Sequence, residues 1–557
     1  MPTGITPSNQ TSLTSLLVAR AGGTRPGDVF VEVSYTWAEV VVQSAIRAAL
    51  IAERIDRARP PHIGVLLDNE PEYLFWLGGA ALAGATIVGI NPTRRGAELA
   101  RDVAHTDCQF VVTGEEHRSL LPDDPGVPVL DIGSTAYGDA IDRHRGATVT
   151  DDLPDPDTPL FLMFTSGSTS DPKAVRCSNG RAGSAGLRVA AGYGITAEDV
   201  CYCQMPLFHG NALLACWAPA LATGVTVVLR RRFSASGFLD DVRRYGCTYF
   251  TYVGRSLAYV LAQSGRPDDG DNTLRLGFGT EASPADRAAF TDRFGCSLVE
   301  GYGSSESAIV LARTPDTPEH ALGIQRDSNA DIAVVDAATG NECQRARFGA
   351  DGSLLNGAAA IGEMVNRAGG AGFDGYYNNP EATAERLRDG WYWSGDLAYR
   401  DEGGYFYFAG RTDDRLRVDG ENFSTEPVAV LLSSIDGVAH VAVYAVPDER
   451  TGDQVMAALE LDPGRSFDPA WFRQALESQS DLGTKWAPRF VRIVDRIPVT
   501  ANNKLYKPGL RAAAFVTDDP VWWRPERDAD YEPFDEVALA ALRGRYATQG
   551  RESLLPK

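Results

Sequence analysis

The sequence predicts an α/β protein in which a small β-rich region and a small α+β domain follow the main α/β part. Three observations support this fold class. Helix-like and strand-like segments alternate through the first four hundred residues, hairpin-like strands with glycine turns appear around residue 330, and a short mixed set of elements follows residue 417. Alternation of this kind is typical of layered, largely parallel sheets. At 557 residues, the chain has room for two or more domains.

The first predicted elements alternate between the helical and the strand pattern of apolar residues. The stretch "EVVVQSAIRAALIAERI" predicts a helix, "HIGVLLDN" a buried strand, "PEYLFWLGGAALAGA" a helix and "TIVGINP" a strand. Leu74 to Ile90 is the most apolar stretch, but it is about one turn short of a membrane span and contains four glycines. It therefore predicts a buried helix that enters a strand. Further strands are predicted at "CQFVVTG", "GVTVVLR" and "CTYFTYVG", with the helix "SASGFLDDVRRYG" among them.

The later part of the chain has a different pattern of predicted secondary structure. "NADIAVVDAATG" and "GGYFYFAG" predict hairpin strands with glycine turns. The helix "STEPVAVLLSSI", the strands "VAHVAVYAVPD" and "QVMAALEL", and the helix "DPAWFRQALES" predict a small α+β domain. We expect an N-terminal domain at residues 1–410, a charged hinge at 411–417 and a C-terminal domain at 418–557. No role is predicted for the tail from Thr517 onward.

Composition excludes some classes of partner. With 53 basic and 74 acidic residues, the net charge of −21 disfavours any bulk affinity for nucleic acid. The eight cysteines form no CxxC pair, which favours a reduced compartment over a zinc site or a disulfide framework. The N-terminus lacks the features of a secretory signal, and no transmembrane segment is predicted, so a cytoplasmic location is expected. The sequence leaves the oligomeric state open, with a homodimer as one option.

The stretch "FLMFTSGSTSDPKAV" runs from an apolar strand into a loop rich in hydroxyl groups that closes on Pro172 and Lys173. An isolated loop of this kind is usually a polar surface turn. It also suits a phosphate cradle, because backbone N–H groups, hydroxyls and a lysine can converge on anionic oxygens. Asp171 and Pro172 precede the lysine, so the loop does not fit the Gly-Lys-Ser/Thr ending of the Walker pattern.

Four later stretches resolve this choice. "TSGSTSDPK", followed in order by "GYGSSES", "WYWSGDL", "GRTDDRLRVDGEN" and "PVTANNKLYK", resembles the adenylate-forming superfamily of acyl-CoA synthetases, luciferases and peptide-synthetase adenylation domains. "RRRFSASGFLDDVRRYGCTYFTYVG" and "GENFST" resemble its very-long-chain acyl-CoA synthetase and fatty-acid-transport-protein branch, including bacterial ligases. The resemblance implies an N-terminal domain of two layered α/β subdomains plus a β-rich subdomain, followed by a mobile α+β C-terminal domain.

The resemblance also implies a reaction in two steps. A carboxylate attacks the α-phosphate of ATP in the presence of Mg²⁺, which gives acyl-AMP and pyrophosphate. A thiol, usually that of coenzyme A, then displaces AMP. The branch suggests a hydrophobic acid, either long-chain or bulky and polycyclic like a steroid or terpenoid side chain.

The family's nucleotide positions carry over onto this sequence by motif. The β- and γ-phosphates are assigned to Thr165, Ser166, Gly167, Ser168, Thr169 and Lys173. Such a loop, with a lysine and Mg²⁺, would neutralise the charge that grows on the leaving pyrophosphate. Tyr302 is implied to stack on adenine, and Glu306 is implied to hold Mg²⁺, which needs few protein oxygens. The other assigned positions are Gly279, Thr280, Glu281, Gly303, Ser305 near the α-phosphate, Asp396 on the ribose hydroxyls, and Arg411 on ribose or phosphate.

The remaining assignments concern the moving domain and the acid. Lys504 matches the lysine that bridges the incoming carboxylate and the α-phosphate, and Asp413 matches the hinge position, although Asp413 also suits a helix cap or turn. Gly420 matches the residue that admits the pantetheine arm of coenzyme A. His209 matches a side chain near the acyl carboxylate, within an acyl pocket assigned to Phe208, His209, Tyr252, Gly254, Arg255 and Gly279.

Two positions depart from the family pattern at places that serve adenylation. Ser170 replaces the second glycine of the loop, and Asn503 replaces the glycine before the catalytic lysine. A positive φ costs serine roughly 1 kcal/mol or more. This leaves open a ligase that only converts acyl-AMP supplied by a separate adenylating enzyme. Three further alternatives are an acyl-AMP ligase that loads a carrier protein, a luciferase-like oxygenase and a non-catalytic acyl-nucleotide sensor. The sensor is disfavoured because Lys504 and Glu306 are both present.

Overall fold

The computed structural model describes residues 11–557 with several gaps. The residues outside the description are 31–32, 93–95, 166–172, 281, 283, 315, 350–353, 371, 412–414, 419–420, 450–452, 480–481, 483–484, 500–504, 527–528, 549–550 and 556–557. For a few residues within helices and strands, including Arg255 and Arg411, only the backbone is described.

The chain forms two compact units, and the predicted α/β class is confirmed. The first unit comprises Met1–Arg313 and Gly369–Asp389, and the second comprises Thr314–Ala368 and Gly390–Lys557. The predicted domain limits at residues 410 and 418 stay a prediction.

One seven-stranded sheet of the first unit, called sheet I here, has a parallel core and an antiparallel edge. Its order is Val129–Asp131, Phe110–Thr113, His62–Leu66, Thr86–Gly89, Pro159–Thr165, Lys173–Ser178 and Tyr376–Tyr377. The strands are parallel up to Pro159–Thr165, and the last two pairings are antiparallel. The strands His62–Leu66, Thr86–Gly89 and Phe110–Thr113 are buried along their whole length, as continuous apolar runs in a parallel sheet require.

A second seven-stranded sheet, called sheet II here, carries the other half of the first unit. Its order is Ser297–Glu300, Leu276–Thr280, Tyr249–Val253, Val200–Cys203, Thr226–Leu229, Pro26–Phe30 and Val33–Thr36. All pairings are parallel except the last. Since parallel strands align their carboxyl ends, residues that follow Cys203, Val253 and Thr280 share one edge of this sheet.

Helices connect and cover these strands. They run at Leu13–Val18, Trp37–Arg54, Pro71–Ala83, Ala97–His105, Glu115–Arg118, Thr135–Arg143, Asn179–Gly192, Gly210–Ala212, Ala218–Thr223, Phe238–Tyr245, Gly254–Leu261, Pro284–Phe294 and Pro380–Arg386, with a π-helical turn at Leu213–Trp217. Short strands occur at Tyr302–Gly303, Val310–Leu311 and Leu387–Arg388.

The apolar stretch from Leu74 confirms its sequence prediction. The helix Pro71–Ala83 is buried and ends at Gly84, whose φ of +67° suits glycine, before the strand Thr86–Gly89 begins. A Cβ atom on Gly78 would lie 2.2 Å from Ser44 Oγ, so this glycine permits the close approach of the neighbouring helix. Among the described residues, no helix is long and apolar enough to cross a membrane.

The second unit contains the β-rich region and the α+β elements. Four antiparallel strands run at Ile332–Val335, Gly362–Asn366, Trp391–Arg400 and Phe406–Arg411, and a hairpin joins Arg415–Val418 to Glu421–Ser424. A five-stranded sheet follows in the order Val438–Pro447, Asp453–Leu461, Phe490–Ile493, Val521–Trp523 and Glu532–Pro533. Helices run at Gly357–Ala360, Thr425–Ser433, Pro469–Glu477, Lys507–Ala513 and Glu536–Thr548, with a 3₁₀ turn at Glu552–Leu554.

The tail after Thr517 has a structural role that the sequence did not reveal. It supplies two strands of the five-stranded sheet and the helix Glu536–Thr548. Trp523 and Tyr546 from this tail are buried in the same apolar cluster as Phe490. The tail is therefore part of the core of the second unit.

Candidate active site

The predicted phosphate loop connects two antiparallel strands of sheet I. Thr165 ends one strand and lies opposite Lys173, which begins the next, and the Thr165 hydroxyl donates to the Lys173 carbonyl at 3.4 Å. The structure thus brings together the two ends of the loop. Ser166, Gly167, Ser168, Thr169 and the divergent Ser170 lie outside the described residues.

Glu306 is buried, and a tyrosine from a distant part of the chain holds it. The Tyr376 hydroxyl donates to Glu306 Oε1 at 2.6 Å, and only 8% of the Glu306 residue is exposed. Burial, together with the adjacent Glu306 carboxylate, raises the pKa of Tyr376, so its hydroxyl stays protonated and donates. Among the described residues, none makes a hydrogen bond to Glu306 Oε2, which leaves that oxygen available to a ligand.

Lys173 lies against the same tyrosine. Its Nζ atom is 5.9 Å from the centroid of the Tyr376 ring and 4.0 Å from Glu385 Oε2, and only 11% of its side chain is exposed. A cation over an aromatic face is attracted by the electrons of the ring. The lysine side chain is therefore largely buried, and its ammonium group lies near the Tyr376 ring and the Glu385 carboxylate.

Arg181 fixes the turn that carries Ser305 and Glu306. Its guanidinium donates to the Ser305 carbonyl, to Ser307 Oγ at 2.7 Å and to the Arg176 carbonyl at 2.8 Å. Ser307 has a φ of +55°, a left-handed conformation that serine adopts only when its surroundings impose it. The arginine contacts supply part of that constraint.

The predicted adenine positions converge at the carboxyl edge of sheet II. Gly279 and Thr280 end the strand Leu276–Thr280, and the Gly301 N–H donates to the Gly279 carbonyl at 3.4 Å. Tyr302 and Gly303 follow at once and pair with Val310–Leu311. A Cβ atom on Gly279 would lie 2.4 Å from the Tyr252 ring, so only glycine fits there. Glu281 lies outside the described residues.

The predicted acyl positions Phe208 and His209 lie in the loop after the strand Val200–Cys203. Their ring centroids are 4.3 Å apart, with Phe208 buried and His209 half-buried. Asn69 follows the strand His62–Leu66 of sheet I. It accepts from the Leu207 N–H at 2.9 Å and donates to the Met205 carbonyl at 2.8 Å. Asn69 therefore ties this loop of sheet II to sheet I.

Several buried polar atoms of the strand Tyr249–Val253 and of the segments around Phe208 and His209 have no hydrogen-bond partner among the described residues. They are Tyr252 Oη, Asn211 Oδ1, Thr251 Oγ1 and Gln204 Oε1. Asn211 donates from Nδ2 to the Tyr252 carbonyl at 3.3 Å, and burial raises the pKa of the Tyr252 hydroxyl. Native proteins leave few buried polar atoms unpaired, so each of these atoms retains hydrogen-bonding capacity for a ligand or water. Gly254 begins the adjacent helix, and the Arg255 side chain is not described.

Asp396 belongs to the second unit, in a distorted part of the strand Trp391–Arg400. It lies opposite Arg411 across an antiparallel pair, and its N–H donates to Ser394 Oγ at 3.0 Å. The neighbouring Gly395 has a φ of +73° and donates to the buried carboxylate of Glu363 at 2.9 Å. These contacts fix the backbone conformation at Asp396. Its strand partner, Arg411, is also predicted to bind the nucleotide.

Other predicted positions of the second unit lie outside the described residues: Asp413, Gly420, Asn503 and Lys504. The flanks of Lys504 are described. Val499 and Leu505 form a β-bridge, and the Tyr506 N–H donates to the Pro498 carbonyl at 2.9 Å. The ends of the segment that carries the lysine are thus held together.

Sequence reasoning missed three side chains at this site: Asn69, Arg181 and Tyr376. They contact residues that are 70 to 136 positions away, and no local pattern marks them.

Two protein-family profiles match the chain. The profile of the AMP-binding enzyme family matches residues 18–377, and that of the AMP-binding enzyme C-terminal domain matches residues 428–504. A steroid-22-oyl-CoA synthetase from Rhodococcus jostii is 49% identical, over 98% of this chain and 99% of that protein. The medium/long-chain-fatty-acid–CoA ligase FadD17 from Mycobacterium tuberculosis is 46% identical, over 89% of this chain and 95% of that protein.

Solved structures share the fold. ATP-bound MatB from Rhodopseudomonas palustris superposes with a TM-score of 0.79 at 22% identity, over 91% of this chain and 99% of that one. The anthranilate CoA ligase AuaEII, in complex with anthranoyl-AMP, gives a TM-score of 0.77 at 20% identity, over 91% and 98% of the two chains. At these identities the likeness concerns the fold alone.

Proposed function

The chain belongs to the AMP-binding enzyme family, and from this premise we propose that it is an acyl-CoA ligase. It would join a hydrophobic carboxylic acid to coenzyme A through an acyl-AMP intermediate, with ATP and Mg²⁺. One observation carries the adenylation step: the first unit places Lys173, at the end of the phosphate loop, and the buried carboxylate of Glu306 against the same side chain, Tyr376. A lysine and a carboxylate so placed suit a nucleotide triphosphate with its cation.

The residues present fit a magnesium ion. Mg²⁺ prefers oxygen ligands and is usually held by one or two carboxylates together with substrate phosphates. Glu306 Oε1 accepts from the Tyr376 hydroxyl, while Oε2 has no such partner within the described part of the chain. Glu306 would hold the ion, which, when bound, offsets the negative charge of the phosphates.

The chain's own groups would divide the work of adenylation. Thr165, Lys173 and the loop residues Ser166, Gly167, Ser168 and Thr169 would bind the β- and γ-phosphates. Tyr302 would stack on adenine beside Gly279, Thr280, Glu281 and Gly303, and Ser305 would approach the α-phosphate. Asp396 and Arg411 would bind the ribose. Lys504 would lie between the acyl carboxylate and the α-phosphate, where its charge reduces their mutual repulsion.

The second step would use a different surface of the C-terminal region. We propose that rotation about Asp413 withdraws Lys504 and presents Gly420, whose lack of a side chain leaves room for the pantetheine arm. The thiolate would then attack the acyl carbonyl, and AMP would leave with the electron pair of the broken anhydride bond.

The acid would be bulky and hydrophobic. A relative named for a steroid acid and another named for medium- and long-chain fatty acids support this class. The acyl pocket would be lined by Phe208, His209, Tyr252, Gly254, Arg255 and Gly279. Its buried polar atoms suit an acid that carries an oxygen substituent or binds with ordered water.

The alternatives from the sequence are not favoured. The relatives are named as CoA synthetases or ligases, so thioesterification alone, with a separate adenylating enzyme, has no support beyond Ser170 and Asn503. Transfer to a carrier protein, an oxygenase activity and a non-catalytic role also lack a supporting observation. The homodimer stays a prediction, and so does the cytoplasmic location, which the eight free thiols suit.

An acid panel tests the proposal. Steroid acids with a short side chain, long-chain fatty acids and acetate are incubated with ATP, Mg²⁺ and coenzyme A, and both pyrophosphate and the thioester are measured. We expect equal amounts of both products from the hydrophobic acids and little from acetate. Thioester from synthetic acyl-AMP without pyrophosphate release from any acid would favour the non-adenylating alternative. If no acid and no synthetic acyl-AMP gives a thioester, the proposed ligase function is refuted.

A further inference from the structure

Tyr376 contacts two groups that the proposed function places at the triphosphate. Its hydroxyl donates to Glu306 Oε1 at 2.6 Å, and its ring lies 5.9 Å from Lys173 Nζ. It is 3% exposed, and the Arg386 guanidinium lies beside the same hydroxyl. A single buried side chain therefore contacts both the carboxylate proposed for the metal and the lysine at the end of the phosphate loop.

The backbone around Tyr376 is fixed from several sides. The strand Tyr376–Tyr377 pairs antiparallel with residues Ala174 and Val175, directly after Lys173. The Tyr376 N–H donates to Thr383 Oγ1 at 3.0 Å, and the Arg176 N–H donates to the Gly375 carbonyl at 3.1 Å. The ring also packs edge-on against Phe373, with centroids 5.1 Å apart. The hydroxyl is thus presented by a rigid edge strand.

This arrangement has a consequence for the carboxylate. A hydrogen bond from a neutral donor to one oxygen orients a carboxylate without cancelling its charge, so the second oxygen keeps both its direction and its affinity for a cation. We propose that Tyr376 is a positioning residue for the cation-bound triphosphate. It orients Glu306 so that Oε2 faces the ion, and its ring keeps Lys173 from pairing with that carboxylate.

The second effect matters because Lys173 and Glu306 carry opposite charges. A direct ion pair between them would occupy both the phosphate-binding cation and the metal-binding oxygen. Across the Tyr376 ring, the lysine instead keeps a cation–π contact and a long contact of 4.0 Å to Glu385, which is 70% exposed. Such contacts are weak enough to yield to a phosphate. The inference rests on the proposed function, because that function assigns the triphosphate to these groups.

The test measures nucleotide binding and needs no acid or coenzyme A. The dissociation constant of ATP is measured by titration calorimetry for the full chain, with Mg²⁺ and with EDTA. We expect Tyr376→Phe to weaken binding with Mg²⁺ about tenfold, the usual effect of losing a hydrogen bond to a charged group. Binding in EDTA should hardly change. The Mg²⁺ concentration that gives half of its full effect on the ATP dissociation constant should be higher for the variant than for the native protein.

Tyr377→Phe is the matched control. It lies on the same two-residue strand, and its hydroxyl donates to Asp107 at 2.8 Å instead of to Glu306. Its removal should leave the Mg²⁺ dependence of ATP binding as in the native protein. A similar loss in both variants would mean that the strand, and not the Glu306 contact, is responsible, and would overturn the proposal.

A double variant tests the route through Glu306. If Tyr376 acts by orienting that carboxylate, Tyr376→Phe should weaken binding no further once Glu306→Gln is present, since coupled residues are non-additive. Additive losses would overturn the proposal, as would a Tyr376→Phe variant that binds MgATP like the native protein. Circular dichroism checks that each variant is folded. If the native protein binds MgATP but forms no thioester from any acid, the ligase function fails while this inference stands.

Discussion

The predicted phosphate side and the predicted acyl side of the first unit differ in how a tyrosine hydroxyl is used. On the phosphate side, the Tyr376 hydroxyl donates to Glu306 Oε1, and Lys173 Nζ lies over the Tyr376 ring. On the acyl side, Tyr252 Oη and Asn211 Oδ1 have no hydrogen-bond partner among the described residues, as is also true of Arg181 Nε on the phosphate side. Under the proposed function the triphosphate is the same in every turnover, so its site gains from being organised in advance. The acid would complete its own site, and selectivity between acids would arise there.

The largest effect should come from Lys504→Ala, and it should divide the two half-reactions. We expect pyrophosphate release to fall about 1000-fold, a loss typical of removing a group that stabilises charge in the transition state. Thioester formation from synthetic acyl-AMP should persist, because the proposed function assigns the lysine to the first step only. Both rates are measured on the same preparation, and an equal fall in both would argue against the assigned role.

His209→Ala should affect the acyl side alone. We expect kcat/KM for the acid to fall about tenfold through loss of a polar contact near the carboxylate, while the calorimetric affinity for MgATP is retained. His144→Ala is the control, because His144 pairs with Glu53 at the surface, with a separation of 2.6 Å. Weakened MgATP binding in His209→Ala would show that the two sides are not separable.

Ser170→Gly should improve the phosphate side. Restoring glycine removes a conformational cost of roughly 1 kcal/mol, so pyrophosphate release should rise about fivefold. The rate of thioester formation from acyl-AMP should stay the same. A slower or unchanged release would mean that serine is compatible with this loop and that the family's glycine is dispensable here.

The last pair of effects concerns folding stability and should differ in sign between two tyrosines. Tyr376→Phe leaves the buried Glu306 carboxylate without its donor and should destabilise the first unit by about 1–3 kcal/mol. Tyr252→Phe removes a buried hydroxyl that has no partner among the described residues, so it should be neutral or stabilising by up to about 1 kcal/mol. Thermal unfolding of the ligand-free protein measures both. Equal destabilisation by the two substitutions would show that the two hydroxyls contribute equally to folding stability. The phosphate side and the acyl side would then not differ in this respect.

The fold and the chemical groups were largely predictable from local sequence. The apolar stretch after Leu74 became a buried helix and a strand, as its length and glycines indicate. Thr165 and Lys173 flank the loop that its hydroxyl groups marked as a phosphate site. The tail after Thr517 was not predictable, because Trp523 and Tyr546 join a core whose other members lie earlier in the chain.

Motifs could name Glu306 as a metal-type carboxylate, but they could not say what holds it. Glu306 and Tyr376 are 70 positions apart, Arg181 and Ser305 are 124 apart, and Asn69 and Met205 are 136 apart. No periodicity connects such pairs. Their absence from the sequence prediction reflects the long range of the contacts and not a weakness of the motifs.

The sequence by itself determined the α/β class through its periodicity and, through its resemblance to a known family, the groups proposed for the nucleotide, because both signals act over a few residues at a time. Only the tertiary structure decided which buried polar atoms are paired and which stay open. Hydrogen bonding depends on distances of about 3 Å, and only the folded chain brings residues from separate strands and helices that close together.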